Sequence, residues 1–125
     1  MDRPPMTGVF VPHVTPLDDD GAVDEASLER LVDYLCAADL GGLVSCARVG
    51  EGPVLSWEEK RRVVEVVAEE TPADLPLVAT VAPATTAEAV ERINEAADAG
   101  ADAAMIIPPL LFAWGQSSPE MRFRF

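Results

Sequence analysis

The chain has 125 residues, 49% of them apolar, and a formal net charge of −13, with a single lysine, Lys60, against eight arginines. That length holds one small domain with a real core, and the apolar share argues against a disordered chain. The charge weighs against nucleic acid and anionic membranes as partners, because both need clustered cations.

An acidic, lysine-poor surface also fits a protein dissolved in a salt-rich cytoplasm, where counterions screen its self-repulsion. The two cysteines, Cys36 and Cys46, lack CxxC spacing, so buried free thiols are expected. No run approaches the roughly 18 apolar residues of a membrane span. The opening Met1-Asp2-Arg3-Pro4-Pro5 has no basic-then-apolar order of a signal peptide, and a cytoplasmic protein is expected.

In chain order, Gly8 to Val14 is a β-branched apolar run and a predicted first strand, with Pro12 an awkward member that suits an unpaired edge. Leu17 to Val23, containing Asp18-Asp19-Asp20-Gly21, reads as a turn-rich loop. Three consecutive acids do not make the alternating pattern of a calcium loop. Asp24 is a good N-cap, and Leu28, Leu31, Val32 and Leu35 form one apolar helical stripe. Gly41-Gly42 is expected to stop that helix, and Leu43 to Cys46 reads as a buried second strand.

The strand empties into Ala47-Arg48-Val49-Gly50-Glu51-Gly52. Ser56 and Glu59 form a capping box that opens a second helix running to about Glu70, burying Val63, Val64 and Val67. Leu77 to Val81 is the third strand. Thr85 and Glu88 read as a second capping box, with Ala89, Val90, Ile93, Ala96 and Ala97 on one face of the third helix. Ala103 to Ile107 is the fourth strand. Units starting at Gly8, Gly42, Pro76 and Ala103 recur at 34, 34 and 27 residues, which implies a parallel α/β sheet with right-handed crossovers. Ligands of such sheets bind at the carboxyl ends of the strands, which makes the turn at Arg48 the first candidate site.

Taken together, Val14-Thr15-Pro16, Asp24 with Leu28, Gly50-Glu51, Leu55-Ser56 with Glu59, Gly100-Ala101-Asp102 and Pro108-Pro109 resemble the N-terminal half of the dihydrodipicolinate synthase / N-acetylneuraminate lyase family. The resemblance implies a TIM barrel, here a half barrel of about four parallel strands and three helices over residues 1–111. An irregular tail over residues 112–125 follows. It also implies class I aldolase chemistry, in which a lysine late in the barrel forms a Schiff base with pyruvate or another 2-oxo acid. A hydroxyl pair after the second strand would hold the carboxylate and relay protons with a tyrosine after the fourth. No cofactor and no metal are implied, and full-length members usually assemble as oligomers.

Three departures stand out. The family's Gly-Thr-Thr-Gly-Glu is Ala47-Arg48-Val49-Gly50-Glu51, so both hydroxyls are missing. The expected tyrosines are Leu110 and Leu111, which cannot shuttle protons. The Schiff-base lysine would lie in later strands, and Lys60, expected to be exposed in the first turn of a helix, is a poor nucleophile.

The candidate substrate-binding residues are therefore Arg48, Val49, Gly50, Glu51 and Thr15, with no catalytic residue assigned. Arg48 can hold a carboxylate bidentately in place of the lost hydroxyls, or can simply pair with Glu51. Gly50 is expected to supply a positive φ or a close backbone approach. Glu51 is expected to orient the turn, and Thr15 to donate a hydrogen bond at the barrel mouth. His13 lacks ligand-spaced neighbours and reads as a satisfied core or helix-facing residue.

The function expected is that of a 2-oxo-acid lyase relative, truncated and inactive alone, that self-associates or joins a homologous chain. The alternatives are a non-catalytic partner of a full-length homologue and a small open α/β domain binding a phosphate or nucleotide. The last lacks any G-x-G-x-x-G or Walker pattern.

Overall fold

The computed structural model describes residues 6–109 and Glu120. The tail beyond Pro109, including Leu110 and Leu111, lies outside the described residues apart from Glu120. Four strands alternate with three helices: β1 (Phe10–Pro12), α1 (Glu25–Cys36), β2 (Gly42–Ser45), α2 (Trp57–Glu70), β3 (Leu77–Val81), α3 (Thr86–Asp98) and β4 (Ala103–Ile106). The strands form one parallel sheet in the order β1-β2-β3-β4, with Leu43 opposite Leu77 and Thr80 opposite Met105. No helix among the described residues is long and apolar enough to cross a membrane.

Period-2 alternation along the strands sends Leu43, Leu77 and Ala79 to the helix-covered face. There they join Leu28 and Val32 of α1, Val63, Val66 and Val67 of α2 and Ala96 of α3 in one buried core. The helices begin where their caps dictate. Asp24 accepts from the Ser27 amide at 3.1 Å, and the α2 box is complete: Glu59 N–H donates to Ser56 Oγ at 3.2 Å and Ser56 N–H to Glu59 Oε2 at 2.7 Å.

The α3 box departs from expectation. Thr85 Oγ1 accepts from the Glu88 amide, but Glu88 Oε2 receives the Ala84 amide instead of that of the cap residue. Its stripe is also narrower than predicted. Ala89 and Ala96 are buried, whereas Val90 and Ala97 are exposed, because α3 is the last helix described and its outer flank has no neighbour among the described residues.

The first strand is shorter than its apolar run. His13 N–H donates to the Val44 carbonyl at 3.2 Å, so the Pro12 nitrogen, one residue earlier, points away from β2, the one strand paired with β1 among those described. The first helix ends at Cys36, capped by Ala37, several residues before Gly41-Gly42; those glycines open the strand instead of stopping the helix.

Asp18 Oδ1 takes the amides of Asp20 and Ala22, both at 2.9 Å, closing the acidic loop on itself. Asp102 joins β3 to β4 by receiving the Leu77 amide on its carboxylate at 2.9 Å and donating its own amide to the Leu77 carbonyl at 2.8 Å. This contact explains the acid of Gly100-Ala101-Asp102.

A cationic cleft at the strand ends

The loop after β2 is shaped by two non-glycine residues in the left-handed region, Cys46 at φ 57° and Glu51 at φ 60°. Each costs about 1–2 kcal/mol relative to ordinary backbone, and such outliers gather at functional turns. Between them Arg48–Gly50 form one turn of 3₁₀ helix. The Gly50 and Gly52 amides both donate to the Ala47 carbonyl, at 3.0 and 3.1 Å, and the Glu51 carbonyl receives the amides of Val54 and Leu55. Glu51 braces the turn through its backbone, and its side chain is exposed.

Gly50 is required for close approach and not for a positive φ. A Cβ there would stand 2.8 Å from the His13 carbonyl oxygen. Thr15, 6% exposed, donates its hydroxyl to the Gly50 carbonyl at 2.7 Å and so pins the loop to the end of β1. Val49 is exposed.

His13 and Ser45 form a second pin between the same strand ends. His13 is 2% exposed, with Nε2 2.6 Å from Ser45 Oγ and Nδ1 2.8 Å from the Val14 carbonyl oxygen. A carbonyl only accepts, so Nδ1 carries the proton and Nε2 accepts from the serine hydroxyl. Burial holds the imidazole below its usual pKa, partly offset by the Val14 carbonyl. The lone histidine is thus a satisfied buried residue.

Beside this framework lies a cleft of about 600 Å³ at the carboxyl ends of β2, β3 and β4, lined among others by Cys46, Arg48, Lys60, Thr80, Pro83 and Pro109. Its charged lining among the described residues consists of Arg48 and Lys60, both cations, in a chain of net charge −13. Arg48 makes no ion pair with Glu51, nor any other among the described residues, although Arg61, Arg62 and Arg92 all pair with carboxylates.

Lys60 is not on an exposed outer surface, as its place in α2 suggested. Lys60 is half-buried in the cleft wall, and its carbonyl oxygen lies 3.7 Å from Cys46 Sγ. Burial pushes the Cys46 thiol up to about 12, with the Lys60 charge pulling the other way, so this sulfur is an inert thiol at neutral pH. Cys36, expected to be buried, is only partly so.

Of the five residues singled out from sequence, Arg48 lines the cleft, while Thr15, Gly50 and Glu51 build the loop that carries it and Val49 faces solvent. Sequence reasoning missed Thr80 and Lys60 as lining residues. The period-2 alternation of β3 contained the signal for Thr80, which shares a face with Val78 at the carboxyl end of the strand.

Comparison with known proteins places these features in a lineage. The chain is 45% identical over 102 residues to the 4-hydroxy-tetrahydrodipicolinate synthase of Methanothrix thermoacetophila, an alignment covering 82% of this chain and 34% of that protein. A dihydrodipicolinate synthase family protein from Coccidioides immitis superposes with a TM-score of 0.84 at 31% identity, over 95% of this chain and 38% of the other. The chloride-inhibited dihydrodipicolinate synthase of Acinetobacter baumannii, solved in complex with pyruvate, gives a TM-score of 0.79 at 34% identity, over 84% and 36%.

The chain thus spans little more than a third of the length of these relatives, and its four strands and three helices match the N-terminal part of their barrel. The model of the Dihydrodipicolinate synthetase family matches residues 5–123, nearly the whole sequence, and the chain belongs to that family.

Proposed function

We propose that these residues form the carboxylate-binding side of a family barrel acting on pyruvate or another 2-oxo acid, with Arg48 doing the work of the absent hydroxyl pair. The observation that carries this reading is the guanidinium of Arg48, without an ion pair among the described residues, in a cleft whose charged lining among them is entirely cationic. A guanidinium binds a carboxylate through two parallel N–H···O bonds, each stronger than a neutral hydroxyl donor gives. Holding the carboxylate fixed leaves the 2-oxo carbon free for attack by a lysine, and the resulting iminium is an electron sink for carbon–carbon bond making or breaking.

The chain by itself lacks a competent nucleophile. Lys60, its one lysine, is anchored in the first turn of α2 beside an inert thiol. Borohydride reduction of the 125-residue chain with pyruvate should give no covalent adduct, and an adduct on Lys60 would overturn this assignment. In a complete relative carrying the same Ala-Arg-Val-Gly-Glu loop, Arg48→Ala should raise KM for the 2-oxo acid about tenfold or more, the cost of a charge-assisted hydrogen bond. An unchanged KM would rule Arg48 out. The reading extends to assembly. Among the described residues β1 and β4 each pair on one side only, and Met105 and Ile106 of β4 are exposed. Such edges take further strands from a second copy or a homologous chain, and a compact monomer on gel filtration would go against that.

A further inference from the structure

The Thr80 hydroxyl is buried and unpartnered among the described residues. The residue is 4% exposed and lines the cleft from β3. Buried hydroxyls are ordinarily satisfied, and the other two among the described residues follow the rule: Thr15 donates to the Gly50 carbonyl at 2.7 Å and Ser45 to His13 Nε2 at 2.6 Å. A valine would fill the same β-branched volume on the strand without burying a polar atom, so the strand gains nothing in packing from the oxygen. The site does gain something. A hydroxyl can donate to an anion, and the cleft that Thr80 lines holds Arg48 and Lys60 as its charged residues among those described.

We infer that Thr80 is a substrate-binding residue whose hydroxyl donates to the carboxylate of a 2-oxo acid held by Arg48, so that the hydroxyl absent from the β2 loop is supplied from the end of β3. This inference rests on the reading of Arg48 given above and adds to it the second donor and its strand. The arrangement is complementary in chemistry: the guanidinium brings charge and direction, and the neutral hydroxyl supplies a further donor that a carboxylate, with about four lone-pair sites, can still accept. The β3 ladder holds Thr80 in place, pairing it with Met105 of β4, so the donor sits on a strand and not on a mobile loop.

The test is a titration of the 125-residue chain with pyruvate, followed by amide chemical shifts, for the wild type, Thr80→Val, Thr80→Ser and Arg48→Ala. Wild type should bind, Thr80→Val should bind about tenfold or more weakly, and Thr80→Ser should stay within about threefold of wild type. Thr80→Val should melt no lower than wild type, showing that the loss is not one of folding. If Thr80→Val binds as wild type does while Arg48→Ala does not, the role of Thr80 is refuted and that of Arg48 stands. If Thr80→Val and Thr80→Ser lose affinity equally, the hydroxyl is not the cause and the inference fails. If wild type shows no pyruvate-dependent shifts, the reading of Arg48 fails first and this inference with it.

Discussion

Replacing Ser45 with alanine tests the joint between β1 and β2 on which the candidate loop stands. Ser45 is fully buried and its hydroxyl is the partner of His13 Nε2 at 2.6 Å. In Ser45→Ala the imidazole keeps its Nδ1–H bond to Val14 but leaves a lone pair in a site only 2% open to solvent. An unsatisfied buried acceptor costs about 1–3 kcal/mol. For a domain of this size each kcal/mol lowers Tm by roughly 3–5 °C, so a fall of about 8 °C is expected.

Circular dichroism melts at pH 7.5, where the histidine is neutral folded and unfolded, isolate this term. A double-mutant cycle completes it. On a His13→Phe background no lone pair remains, so Ser45→Ala should cost little, giving a coupling of about 1–2 kcal/mol. The pH dependence follows from the lowered pKa of His13. Below the unfolded value near 6.5 the unfolded chain takes up a proton that the folded chain refuses, so this contribution to stability is whole above that pH and is lost as the pH falls. His13→Phe should flatten the slope between pH 6.5 and 5. A Ser45→Ala protein melting within about 2 °C of wild type at pH 7.5 would refute the reasoning.

Three further outcomes are expected. Gly52→Ala would place a Cβ 1.9 Å from the Cys46 carbonyl oxygen, so it should lower the urea midpoint by the equivalent of about 3 kcal/mol or more; an unchanged midpoint would show the loop to be plastic. A thiol reagent at neutral pH should label Cys36 in the folded protein and reach Cys46 only as the chain unfolds, since Cys46 is buried and its thiol pushed up to about 12; two rapidly labelled sulfurs would contradict the structure. Raising KCl from about 0.1 M to about 1 M shortens the screening length from about 10 Å to about 3 Å. With a net charge of −13 this should raise Tm, and a salt-independent Tm would dismiss self-repulsion as a burden on the fold.

Much of this protein is local and therefore readable from its residues in order. The α2 capping box, the stripe of Leu28 and Val32, and the limits of β3 depend on neighbours within a turn or a strand, and each occurs as its pattern predicts. The repetition of strand and helix was enough to imply the parallel sheet, because short crossovers admit one hand and one order most readily.

What tertiary structure decided are the contacts between residues distant in sequence. His13 meets Ser45 across 32 positions, Thr15 meets the Gly50 carbonyl across 35, and Asp102 meets the Leu77 amide across 25. The strained φ fell on Cys46 and Glu51 and not on Gly50, because closing the loop against β1 demanded room at one position and a left-handed bend at two others. Val90 and Ala97 have the periodicity of a buried face yet lie open, since burial belongs to whatever packs alongside and not to the helix. The same holds for the cleft. Arg48 could be recognised from its place in a motif, but that it shares a cleft with Lys60 and with Thr80 of the next strand, whose hydroxyl is unpartnered among the described residues, is a matter of which strand ends the sheet brings together.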